Sequence, residues 1–174
     1  MSILGGYIRL TADELERARR DRAWVEACVA EARVADAGAA DAGAADAAGG
    51  GRWHSSGRAW DALGFLTRRL GFPVDIAHGE EALPWHGEGS WSYGPPRCLT
   101  PEQVRTAAAA LAATGSARLA AGVGPADLAR ADVYPVHAWE RGDPLAGVLA
   151  HYDALLPFFR DAAAAGDAML VWLG

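Results

Sequence analysis

Two apolar runs stand near opposite ends of the sequence, Gly6–Leu10 (GYIRL) and Ala168–Leu173 (AMLVWL), and most of what lies between them is spaced for helix. Short runs of this composition read as strands, with Ile8 and Leu10 on one face of the first. The two can satisfy their backbone groups by pairing with each other. The expected fold class is therefore α+β, several helices packed on a small, mainly antiparallel sheet that includes the N- and C-terminal strands.

The helices announce themselves by their starts. In Thr11-Ala-Asp-Glu14, the threonine hydroxyl and the glutamate carboxylate can each satisfy a free backbone amide of the other. The helix they open carries Leu15, Ala18, Val25, Cys28, Val29 and Ala32 near a 3.6-residue period and is expected to run to about Val34. Arg58–Leu70 returns to that spacing, with Gly71 as its end. Phe72–Ala77 reads as a short extended piece, and His78–Gly94, rich in Gly, Trp and acid, as a long ordered loop. Thr100-Pro-Glu-Gln103 is the clearest signal: a threonine cap, proline where its missing N–H costs nothing, and glutamine completing the box. That helix should end near Thr114, and a shorter one should begin near Pro125. Asp143-Pro144 opens the last, which Pro157 should kink or break between Asp153 and Leu156. Gly166 is placed to cap it.

Between the first two helices lies a tract of Ala, Gly and Asp at about 36–51 that repeats every five residues. It has no large side chain to offset the entropy of ordering, so it reads as a flexible insert within a single domain spanning 1–174.

Composition closes several functional classes. The chain has 174 residues, a net charge of -6 and no lysine, all 16 basic residues being arginine. Schiff-base and P-loop lysines are excluded, and the missing asparagine excludes a Cys-His-Asn triad. No serine sits in a nucleophile elbow. The acidic balance argues against nucleic acid, and no apolar run is long enough to span a membrane. Without a recognisable signal segment, and with Cys28 and Cys98 far apart, a cytoplasmic location is expected.

GYIRLTADEL at the start, the RAWDAL helix, the junction SYGPPRCLTPEQV, the DVYP turn and the closing AMLVWL occur in the order found in one known family. The chain resembles the YfbM-like bacterial family, catalogued as a domain of unknown function, over nearly its whole length except the Ala/Gly/Asp insert. The resemblance implies one α+β domain and no assigned reaction. Related sequences commonly carry histidines around the tryptophan of the RAWDAL helix, where this chain has Asp61 and Gly64.

Three groups of residues could carry chemistry. Tyr93 to Arg97 feeds the Thr100 helix, whose N-terminus with a guanidinium beside it could hold an anion. His78 and His86 lie among acids and could serve a metal, although no metal-ligand spacing is present. Trp60, Asp61, Tyr93, Arg97, Tyr134 and Trp139 could line a ligand pocket. The resulting reading is a non-catalytic binding or protein-interaction domain without a cofactor, whose partner is another protein or a small anionic ligand. The alternative is a small-molecule or anion-binding enzyme with its pocket near Trp60, Tyr93 and Arg97.

Overall fold

The two end strands do meet. In the computed structural model, which describes residues 2–41, 51–84 and 93–174, β1 (Gly5–Leu10) pairs antiparallel with β5 (Ala168–Leu173) from Gly5 opposite Leu173 to Leu10 opposite Ala168. Leu4 and Gly174 exchange two further backbone hydrogen bonds of 3.0 Å beyond that ladder. Three more strands complete the sheet among the described residues: β2 (Trp53–Gly57), β3 (Glu81–Ala82) and β4 (Arg97–Leu99). The order is β2-β1-β5-β4-β3, with every pairing antiparallel.

Alternation along β1 and β5 divides the side chains between two faces. Ile8, Leu10, Leu170 and Trp172 meet α1 (Ala12–Ala18) and α2 (Arg22–Asp41) through Leu15, Val25 and Val29. Tyr7, Met169 and Val171 face the larger core built from α3 (Trp60–Arg69), α4 (Pro101–Ala113) and α8 (Ala146–Ala165). Between α4 and α8 lie the short helices α5 (Ser116–Leu119), α6 (Pro125–Arg130) and α7 (Val136–Glu140). Eight helices and five strands thus make an α+β fold among the described residues, and no helix there is long and apolar enough to cross a membrane.

Both capping boxes form: Thr11 with Glu14, and Thr100 with Gln103, each reciprocal. The first helix differs from expectation. It stops at Ala18, and Asp21 starts a second by accepting a 3.0 Å bond from the Trp24 amide. That capping carboxylate won over the continuous apolar period. The acids and arginines here pair as expected of a solvated face, Arg17 with Asp21 and Arg22 with Glu26.

α2 continues through Asp41, seven residues past the expected end at Val34, because alanine is the best helix former and outweighs the single Gly38. Residues 42–50 of the Ala/Gly/Asp tract lie outside the described residues. α8 is not interrupted at Pro157. Proline there removes the bond to the Asp153 carbonyl, but Asp153 is exposed and water can take its place. Phe72–Ala77 forms turns in place of a strand.

Candidate functional site

Gly5 lets two elements approach unusually closely. A Cβ at that position would stand 2.5 Å from Ser56 Oγ and 2.7 Å from Trp60 Cβ. Trp60, the first residue of α3, is therefore pressed against the start of β1 and keeps only 7% of its surface exposed. Its ring stacks on Tyr134 at 5.9 Å and meets the His78 imidazole edge-on at 5.5 Å. Asp61, next in the helix, accepts a 2.8 Å hydrogen bond from the Tyr134 amide through Oδ2, which pins the Tyr134 turn to α3. The Tyr134 hydroxyl in turn accepts from the Ile3 amide at 3.0 Å.

His78 is itself held. Asp75 Oδ1 accepts from the Ala77 and His78 amides, both at 3.0 Å, and the two Asp75 oxygens lie 3.2 and 3.1 Å from His78 Nδ1. The same Nδ1 lies 3.5 Å from Arg68 Nη1. Arg68 stands 3.9 Å from Asp75 Oδ2. Burial raises the Asp75 pKa, but the bond and charge of His78 and the two amides prevail, holding it below the usual carboxylate range. This lowered value makes a pH prediction. The carboxylate's contribution to stability is complete above the usual carboxylate range and fades as pH falls through the depressed folded value. In acid unfolding followed by circular dichroism, Asp75→Asn should start less stable than wild type at neutral pH and lose less on acidification. Parallel acid limbs for the two proteins would contradict that role.

Three buried polar atoms around this corner lack a hydrogen-bond partner: Trp60 Nε1, Tyr7 Oη and Ser56 Oγ. The Ser56 hydroxyl lies beside the Tyr7 phenol. Burial is the main reason the Tyr7 phenol is raised above its usual range; Ser56 opposes this, and the negative charge of Asp75 adds to it.

The fold thus brings Trp60, Asp61, Tyr134 and His78 together. Trp139, a residue of α7, is buried in the larger core with its own indole nitrogen unpartnered. Arg97 donates from Nε to the Gly79 carbonyl at 3.1 Å and from Nη2 to that of Glu80 at 2.5 Å, fastening β4 to the turn that follows His78. At the start of α4, the Gln103 amide donates to the Thr100 hydroxyl and the Thr100 amide to the Gln103 side-chain oxygen. Tyr93 is 55% exposed. His86, Trp85 and Trp91 lie outside the described residues, and among the described residues no three potential metal ligands converge.

Tyr7, Ser56 and Asp75 were not foreseen. Asp75 carried a readable sign, since an aspartate three residues before a histidine suits an Asx-type turn. Ser56 carried none, because β2 itself was not expected. Both thiols are poor nucleophiles here: burial raises that of half-buried Cys28 and pushes that of Cys98 up to about 12.

A family model described as a domain of unknown function (DUF1877) matches residues 1–172. Among solved structures, the chain is similar to YfbM from Escherichia coli, itself a protein of unknown function. The TM-score is 0.59 at 11% sequence identity, over 98% of this chain and 99% of that one. At that identity the likeness concerns the fold. No curated protein matches the chain.

Proposed function

The chain belongs to the DUF1877 family of domains of unknown function, and from that premise we propose that it binds a small polar molecule at the Trp60 corner. One observation carries this reading: the Trp60 indole N–H is buried without an acceptor, in a side chain whose ring meets the half-exposed His78 imidazole and whose neighbour in α3 is the half-exposed Asp61. An indole N–H that is lifted out of water usually finds a partner, and a ligand oxygen would supply one. Docking of a protein partner has less support. The exposed large hydrophobic side chains among the described residues are Val34, Leu70 and Tyr93, which fall on three separate segments. Two free cysteines favour a reducing compartment, and a cytoplasmic location forms part of the same proposal.

A thermal-shift screen of polar metabolites tests this. A ligand at a hundredfold excess over its dissociation constant adds about 2.7 kcal/mol to stability through mass action. At least one compound should raise the melting temperature of the wild type clearly more than that of Trp60→Phe, which lacks the N–H. A library that stabilises neither, or both equally, removes the corner as the binding site.

A further inference from the structure

Independently of the Trp60 corner, we infer that the groove between α3 and α6 takes a small organic carboxylate with an apolar body. The groove is an open depression of about 330 Å³, at the small end of the range that ligand sites occupy. Phe65 of α3 and Val123 of the turn before α6 line it, both half-buried and packed against the larger core. Arg69 and Arg130, both exposed, line it as well, together with Asp127.

Two guanidinium groups there share one carboxylate. Arg130 donates from Nη1 to Asp127 Oδ1, and the Gly124 amide donates to Oδ2, each at 2.9 Å. The Gly124 amide first, and then Arg130, hold the Asp127 carboxyl below the usual carboxylate range, and the charge of Arg69 adds to their effect. Arg69 itself donates from Nη2 to the Ala121 carbonyl at 2.9 Å, which ties its head to the turn. A guanidinium has five N–H donors, and each of these two spends a single nitrogen on the bonds described. Further charges stand on the flanking elements. Arg118 of α5 and Asp132 after α6 are of opposite sign. Arg68 is engaged with Asp75 and His78, and Asp61 gives Oδ2 to the Tyr134 amide. The lining itself sets two arginines against one aspartate, a local positive excess in a chain of net charge -6.

The fork of a guanidinium matches a carboxylate through two parallel hydrogen bonds. Phe65 and Val123 offer nothing to a bare ion, so acetate or inorganic phosphate leaves the apolar part of the lining in water. An aryl or alkyl body covers those side chains while its carboxylate meets the arginines. An amine meets two like charges instead.

Phenylacetate, phenylacetamide and acetate separate the two contributions. In the full chain labelled with nitrogen-15, the backbone amide signals of Gly122 and Val123 report on the groove. Phenylacetate should move them saturably and bind at least about fivefold more tightly than either of the others, a gap in keeping with exposed charge pairs. Arg69→Gln and Arg130→Gln should each remove most of the preference over the amide. Arg22→Gln makes the same charge change on α2, which packs on the other face of the sheet, and should keep that preference. Phenylacetamide matching phenylacetate would overturn the choice of a carboxylate, and acetate matching it would overturn the need for an apolar body. Equal losses in all three variants would reduce the response to overall charge and overturn the groove as its origin. Gly122 and Val123 signals that none of the probes moves would overturn the site, whatever the Trp60 corner binds.

Discussion

Phe159→Ala should be among the most damaging single truncations in the chain, costing about 3–5 kcal/mol. Phe159 is fully buried in the middle of α8. Its ring packs edge-on against Tyr7 of β1 at 5.8 Å and against its neighbour Phe158 at 6.4 Å. Removing it leaves a cavity between a helix and a sheet that are each fixed by other contacts, so the walls cannot easily collapse inward. In urea, the unfolding midpoint should fall while the slope stays constant, because the surface exposed on unfolding is nearly the same. A loss below about 1 kcal/mol would mean that α8 can settle onto the sheet without this side chain, contrary to the packing described.

Gly5→Ala should damage stability and the candidate site together. The added methyl group would lie 2.5 Å from Ser56 Oγ and 2.7 Å from Trp60 Cβ. Serine can turn its hydroxyl aside, whereas a Cβ moves only with its backbone, so the start of α3 has to shift. Overpacking of this kind costs about 1–3 kcal/mol. The Trp60 indole signal should move and the ligand response should weaken, even in molecules that remain folded. Gly147→Ala is the control, because a Cβ there meets nothing within 4 Å and the position is an exposed part of α8. It should leave stability unchanged or slightly raised. If both substitutions behave alike, the tight fit of Trp60 over β1 is wrong.

What could be read from the sequence was what the sequence settles locally. Thr11 and Thr100 mark their helices because a capping box is complete within four residues, and GYIRL and AMLVWL carry enough apolar and aromatic character to be strands anywhere. β2 was hidden because WHSSG has weak strand character and is held by pairing with β1. β4 is three residues long and exists because β5 and β3 flank it. The break between α1 and α2 rested on which of several acids would cap, and Asp21 sits among enough charged neighbours to obscure the choice.

The site divides in the same way. Trp60, Asp61 and Tyr134 could be chosen as an aromatic and acidic set, and they do gather. Arg97 is turned toward backbone carbonyls, a destination set by the Gly79 turn and invisible to spacing alone. Tyr7 and Ser56 join the corner only because β1 and β2 are neighbours, a fact of topology.

The pairing of β1 with β5 has a consequence for synthesis. The ribosome makes about 5–20 residues per second, so β1 waits on the order of ten seconds for the strand that will flank it. Through that interval the apolar Ile8 and Leu10 lack Ala168, Leu170 and Trp172 of their cluster. A circular permutant that let the last strand be translated first would shorten that wait.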